Sequence, residues 1–476
     1  MREQTVAAPP GASVAAVPAW RIVVDALRGV EHDYTAGSVR RAVVLLAIPM
    51  VMEMAMESIF AVVDVFWVSR LGADAVATVG LTEAMLAIVY TVALALGIGA
   101  TAVVARRIGE RDEAGAAEAA AQALLLGLIV AASIGVVGAW QTERLLGLMG
   151  ATPSMIESSS GYARIMFGGN LTVTLLFLIN AIYRGAGNAA IAMRMLWLAN
   201  AINLVLDPLL IFGVGPLPEL GVTGAAVATN IGRGTAVVVQ LAVLMSGSAR
   251  IRVRWVHLRL MPAVMWTVCR LSATGFLQIL IDTSSWIGLV RVVASFGSEA
   301  MAGYTIGIRM VMFAILPAWG LSNAAATMVG QALGAGKPDR AEEAVWTAGR
   351  LTMYLLGGIG VVFIVFAPQI AGVFTPDPVI VGHAVTCLRI VSSGFLFFAY
   401  GLVLTQAFNG AGDPWTPTWL NFGCFWLWQI PLAWLLALEL GWGPSGVYWA
   451  ITIAFSTFAV VSAIVFRRGG WKQKQV

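Results

Sequence analysis

The chain repeats itself at an offset of 225 residues. Arg184-Gly185-Ala186-Gly187-Asn188 returns as Asn409-Gly410-Ala411-Gly412-Asp413. Gly72, Ala75, Ala77, Gly109, Pro153, Arg164 and Gly169 return as Gly297, Ala300, Ala302, Gly334, Pro378, Arg389 and Gly394. The register holds without a gap from about residue 72 to about residue 413. Two copies of one unit therefore fill most of the chain, and any fold has to accommodate both.

Each copy is too apolar for water. The chain is 59% hydrophobic and 11% charged, where a soluble domain is about 25% charged. Twelve apolar runs are long enough to cross a hydrocarbon core of about 30 Å as helices. They cover residues 42–69, 81–105, 122–140, 161–183, 190–213 and 221–246, then 266–295, 301–329, 346–367, 380–408, 415–439 and 444–466. The expected fold is an all-α membrane protein of twelve transmembrane helices in two six-helix lobes, residues 40–246 and 266–467. Six spans per copy is an even number, so both copies cross in the same sense, related by a pseudo-two-fold axis along the membrane normal. Such repeats are found in transporters that work around a central cleft.

Basic residues set the expected orientation. Arg106, Arg107, Arg111, Arg184, Arg194, Arg250, Arg252, Arg254, Arg259, Lys337 and Arg340 fall in short loops on one side, with both termini. Only Arg70 and Arg144 fall on the other. The excess of Lys and Arg puts the first side in the cytoplasm, as expected for a multi-pass protein of the cell inner membrane. The net charge of +4 reflects this loop bias and gives no case for nucleic acid. Cys269, Cys387 and Cys424 lie in apolar segments, which argues against a disulfide framework.

Outside the spans, residues 1–39 form an N-terminal extension. Its first 19 residues are Ala- and Pro-rich and expected to be flexible, and Trp20 to Val30 has the pattern of a short amphipathic helix on the inner surface. The linker 247–265 alternates Arg with apolar residues, which suits either an interfacial or a solvated segment. Residues 468–476 form a cytoplasmic tail.

Acids inside spans are the candidate functional groups, because a charge at the bilayer centre costs about 3 kcal/mol unless it faces protein or water. The first span holds Glu53, Glu57 and Asp64. At about 100° per residue, Glu57 lies about 40° from Glu53 and Asp64 about 20° back again, so all three share one face. Three neighbouring carboxylates repel, so at least one is expected to hold a proton near neutrality. A hydrogen-bonded structural cluster is the alternative. In the fifth span, Asn203 and Asp207 are one turn apart, followed by Pro208, which frees a backbone carbonyl one turn back. These oxygens suit a proton or a hard cation such as sodium, with Asp64 as a further ligand. The alternative is a proline kink with its polar groups satisfied locally.

Taken together, Gly72 after a polar first span, Arg184-Gly-Ala-Gly-Asn188, Asn203-x-x-x-Asp207-Pro208 and Gly221-Val-Thr-Gly-Ala-Ala-Val-Ala-Thr229 resemble multidrug and toxin extrusion (MATE) transporters over residues 40–467. Pro49, 15 residues before Asp64, is similar to the DinF-like branch. The resemblance implies coupling carboxylates at Asp64 and Asp207, joined by Asn203 and Thr229, with Asn180 lining the same cavity. Asp282 stands where the NorM-like branch places an acid, but Phe398 occupies the position of that branch's second acid. Glu53 and Glu57 fit neither pattern.

Arg291 and Arg309 also fall within spans; Arg309 is the expected cross-helix partner of a carboxylate, either as a structural ion pair or in the cleft. Arg233 and Arg389 are expected to snorkel or pack near a boundary. Met50, Met52, Met54 and Met56 suit either packing or an adaptable apolar surface. No phosphate-binding loop is present, and His32, His257 and His383 are scattered, so no cofactor and no enzymatic site is expected. The expected function is cation-coupled antiport, with protons or sodium driving export of amphipathic, mostly cationic organic compounds. Membrane lipids surround a monomer. Glu53, Glu57, Asn180, Asp282 and Arg309 are the cavity candidates. A flippase for a lipid-linked saccharide is the alternative.

Overall fold

The computed structural model describes residues 18–215, 218–247 and 250–476; nearly all of the Ala- and Pro-rich stretch expected to be flexible lies outside them. The described chain is helical throughout, as lipid requires of a spanning backbone that must satisfy its own hydrogen bonds. The N-terminal helix α1 is Ala19–Arg28, where the sequence predicts an amphipathic helix. The first lobe contains α2 Val39–Ser69, α3 Ala73–Gly109, α4 Glu113–Trp140, α5 Thr142–Leu148, α6 Pro153–Gly168, α7 Asn170–Ala186, α8 Ala189–Phe212 and α9 Val222–Ser246. The second contains α10 Pro262–Ala294, α11 Ser298–Gly334, α12 Pro338–Gly372, α13 Pro378–Ser393, α14 Phe395–Gly410, α15 Trp415–Asn421, α16 Ile430–Trp434 and α17 Pro444–Arg467.

Ten of these stretches are individually long and apolar enough to cross a membrane, and two bent pairs bring the spans to twelve. The bent spans are equivalent in the two lobes: α6 meets α7 at 41°, and α13 meets α14 at 59°. They break at Gly169 and Gly394, the repeat-related glycines. A hydropathy reading sees each pair as one run because the few polar residues at the break, Asn170 in one and Ser392 and Ser393 in the other, do not interrupt a long apolar stretch. The last part of the span 415–439 is also irregular, with π-helical turns at Phe422–Gln429 and Leu435–Glu439.

Most helices run past the apolar runs, because their ends carry polar and charged residues. Capping fixes several starts. Ser38 accepts from the Arg41 amide at the start of α2, and Asp377 from those of Val379 and Ile380 at the start of α13. Helix α2 continues through Pro49 without interruption.

The lobes meet along α3 and α11, at the end of the molecule that carries α1 and the C-terminal tail (the terminal face). Contact there is backbone to backbone. A Cβ on Gly109 would strike the Gln331 carbonyl, and one on Gly334 the Arg106 carbonyl; small residues allow this approach. The Thr327 hydroxyl donates to the Arg184 carbonyl (3.1 Å) and the Gln331 amide to the Gly185 carbonyl (2.9 Å).

The N-terminal segment straps this seal. Buried Tyr34 donates its hydroxyl to the Gly187 carbonyl of the first lobe (3.2 Å). From the second lobe, the Arg340 guanidinium donates to the carbonyls of Tyr34, Ala36 and Gly37 (2.9, 2.7 and 2.7 Å), and Lys337 to that of Thr35 (2.8 Å). The C-terminal tail folds back as well: Trp471 is buried and stacks on Phe466, and Lys472 pairs with Glu342 (2.7 Å). The linker is docked on the first lobe. Ile251 and Val253 are buried, and the Gln122 side chain holds the His257 and Arg259 carbonyls and the Met261 amide.

Toward the opposite (distal) end the same faces of α3 and α11 come into the open. Gly80, Glu83, Ala84 and Ala87 are exposed on α3, and Thr305, Arg309 and Met312 on α11. The two faces that meet at the terminal face are thus uncovered at the distal end, and the space between them is the candidate groove.

Candidate functional site in the first lobe

The polar residues of the first lobe form a column along α2. Glu53, Glu57 and Asp64 do share a face, spread over about 16 Å of helix, and each has different neighbours.

At the lower end, Glu53 is buried and its Oε1 accepts from Arg184 (2.7 Å) and from the Asn180 amide (2.9 Å). The Gln240 amide donates to Asn180 Oδ1 (2.5 Å), and the Tyr183 hydroxyl to the Gln240 carbonyl (2.8 Å). One expectation is corrected here: Arg184 is in the last turn of α7 and turns into the lobe instead of lying in a loop. Glu53 is held in a buried ion pair, the hydrogen-bonded arrangement that is its alternative. Asn180, on α7, joins this lower cluster through Glu53 and Gln240.

In the middle, Arg233 on α9 is 4% exposed. It donates to the Tyr90 hydroxyl (3.0 Å), lies 3.8 Å from Glu57, and sits over the rings of Phe60 and Tyr90. The boundary position expected for Arg233 is therefore wrong: its carboxylate and aromatic partners lie inside the lobe, so the guanidinium turns inward. The Asn200 amide also reaches Glu57 (3.5 Å).

At the upper end are Asp64, Asn203, Asp207 and Thr229, all buried. The Asn203 amide donates both to Asp207 Oδ1 (3.1 Å) and to the Thr229 hydroxyl oxygen (3.0 Å). Asp207 Oδ2 is buried with no hydrogen-bond partner. Asp64 lies within electrostatic reach of Asp207 and makes no hydrogen bond or ion pair among the described residues. A buried carboxylate oxygen left without a donor is costly, and either a proton or a small hard cation would satisfy it. Among the described residues no group of three or more His, Cys, Asp and Glu forms a metal site.

In the second lobe, Asp282 on α10 is half-buried and Arg309 is exposed on α11. Neither makes an ion pair among the described residues, so the expected Arg309–carboxylate pair is not formed. Asp282 lies about 20° from the line of Gly275 on α10, whose face meets Ile98 of the first lobe.

Sequence reasoning missed Arg233, Glu83, Gln240 and the inward turn of Arg184. Position gave a signal for two of them: Arg233 is one turn after Thr229, and Glu83 is the third residue of an apolar run.

The MatE family model matches residues 49–209 and 276–435 of this chain. A probable multidrug resistance protein NorM of Thermotoga maritima is 25% identical over 448 residues, 92% of this chain and 94% of the relative. An FAD transporter of Shewanella oneidensis is 25% identical over 402 residues, covering 84% and 89%. A solved outward-facing multidrug resistance MATE family transporter of the MOP superfamily superposes with a TM-score of 0.87 at 27% identity, covering 95% of this chain and 99% of that one.

Proposed function

Because this chain belongs to the MatE family of multi-pass membrane transporters, which are not enzymes, we propose that it is an ion-coupled antiporter. It exports amphipathic, mostly cationic organic compounds against an inward flow of protons or sodium. The observation that carries this reading is the unsatisfied Asp207 Oδ2 beside Asn203, Thr229 and Asp64. The site is a carboxylate prepared for an ion yet closed to bulk water.

With the terminal face in the cytoplasm, as the basic loops favour, the groove faces outward. The ion reaches Asp64 and Asp207 from this groove. Its arrival changes the charge of the upper cluster and the packing of α2 against α8 and α9, and the compound leaves. The lobes then rock to the inward-facing state, where ion release and substrate uptake complete alternating access. Asp282, on the groove side of α10, contributes to substrate range. Arg184 and Arg233 keep Glu53 and Glu57 paired, so Asp64 and Asp207 are the acids left to respond to the ion.

The test is uptake of a fluorescent organic cation into everted membrane vesicles, where export runs inward, under an imposed pH or sodium gradient. Uptake driven by one gradient and lost in Asp207→Asn is expected. Equal transport with either gradient or none would refute coupling.

A further inference from the structure

Glu83 and Arg309 are opposite charges on facing walls of one groove. On α3, Ile98 abuts Gly275, and Gly99 would strike Ser272 if it carried a Cβ, so this face meets the second lobe. Followed toward the distal end at about 100° per residue, the same face carries Gly80 and Ala87 within about 20° of the Ile98 line, with Glu83 about 60° to one side. All three are exposed, whereas α3 beyond Tyr90 is almost entirely covered. On α11, Gly320 packs against the Met50 backbone, and exposed Arg309 lies about 20° from the Gly320 line. The repeat pairs Ala84 with Arg309, so the two charges stand one residue away from equivalent positions. Each is within electrostatic reach of the other, and neither forms an ion pair or hydrogen bond among the described residues.

The other charged and titratable groups near Glu83 lie behind the wall. Arg233 acts on Glu83 more strongly than Arg309 does, but it is buried and bonded to Tyr90 and Glu57; Asp64 and Tyr162 are buried too. Exposed charges of either sign are costly on a lipid-facing surface, which is a further reason to find these two in an aqueous groove.

We propose that Glu83 and Arg309 set the charge selectivity of the groove. Glu83 attracts the positive group of a bound compound, and Arg309 penalises any further positive charge, so compounds with one positive charge are favoured over dications. This rests on the export of organic cations proposed above but not on how that export is driven.

Binding to purified protein in detergent, without a gradient, tests it. Three fluorescent probes are compared: ethidium with one positive charge, propidium with two on the same ring system, and neutral N-phenyl-1-naphthylamine. Wild type is expected to hold ethidium more tightly than propidium. One charge removed at contact distance in a wet groove changes affinity by about tenfold. Glu83→Gln is therefore expected to weaken ethidium about tenfold, and Glu83→Asp to restore it. Arg309→Gln is expected to tighten both cations, propidium more. The neutral probe should not move.

Shifts of the two variants in the same direction would overturn the inference, as would an equal change for the neutral probe or no change for either cation. Wild-type protein indifferent to ethidium would overturn it too. Wild-type transport that ignores an imposed gradient, with these binding shifts intact, would count against ion coupling and leave the inference standing.

Discussion

Glu53 Oε1 and an Arg184 guanidinium nitrogen lie 2.7 Å apart, with 1% and 11% of their side chains exposed. The backbone of that arginine also receives the Thr327 hydroxyl from the other lobe. One residue thus closes the lower cluster with its side chain and the lobe interface with its carbonyl. Breaking a buried pair leaves an uncompensated charge and costs about 3–5 kcal/mol. Glu53→Gln and Arg184→Gln should each lower the thermal stability of the purified protein by that order, and the double variant should regain most of it. Losses that simply add in the double variant would mean that the two groups act independently.

Asp207→Asn and Asp64→Asn should each reduce gradient-driven efflux by roughly 10- to 100-fold, the usual span of a coupling free energy. Membrane insertion should be normal, because an amide fills the same space. Asp64→Asn should be more severe than Glu57→Gln, since Glu57 is already held by Arg233 and Asn200. The measurement is initial efflux rate per inserted protein, and full activity in Asp207→Asn would remove that residue from the coupling site.

Arg340→Ala should free the strap. Three hydrogen bonds disappear together, each worth about 1 kcal/mol net. Amide exchange around residues 34–37 should therefore rise by about two orders of magnitude. Unchanged protection would mean that Tyr34 and Lys337 hold the segment alone.

The strap also has a defined acid limit. Thr35 donates its hydroxyl (2.6 Å) and amide (2.9 Å) to Asp33 Oδ1. The Thr35 side-chain bond, above all, holds the Asp33 carboxyl below its ordinary 3.8. A group with a depressed folded value stabilises fully above its unfolded value and loses that contribution as pH falls through the folded one. The Asp33 contribution should therefore be constant above about pH 4 and be lost only in stronger acid. His32, held below its ordinary 6.5 by burial, adds a separate loss of protection as pH falls below that value. Exchange across the range in wild type and His32→Gln separates the two, and a loss at about pH 5–6 that persists in His32→Gln would contradict this assignment.

Gly334→Ala should prop the terminal face open. The added methyl meets the Arg106 carbonyl, and such overpacking typically costs about 1–3 kcal/mol. The readout is labelling of a cysteine placed at Thr327 by a water-soluble maleimide, which should be faster in the Gly334→Ala background. Labelling as slow as in the parent protein would show that the crossing absorbs a methyl.

The sequence reveals where this chain crosses the membrane better than how each helix is turned. Span length and the Asn203–Asp207 turn follow from patterns within one segment and the internal repeat from aligning one half with the other, and the structure agrees with them. The partner of Glu53 is 131 residues away, and nothing local to either residue indicates the other. Arg233 was misplaced for the same reason. Hydropathy locates a residue along the membrane normal, whereas its role depends on which neighbours its helix face meets. Asp64, Glu57 and Glu53 share one face of α2 as expected, yet α7, α8 and α9 give each a different environment, so one stripe becomes three sites.

The strap has a kinetic consequence. Residues 34–37 are continuous with the first helix of one lobe and are gripped by two side chains of the other, Arg340 at three carbonyls and Lys337 at a fourth. A planar guanidinium fixes its three carbonyl partners in one geometry, so displacing it disrupts all three bonds together. Separation of the lobes at this face is therefore cooperative. Partly open states are sparsely populated, and the dwell time of the closed face is set by one rupture event, much as a clasp fails all at once where a hinge yields by degrees.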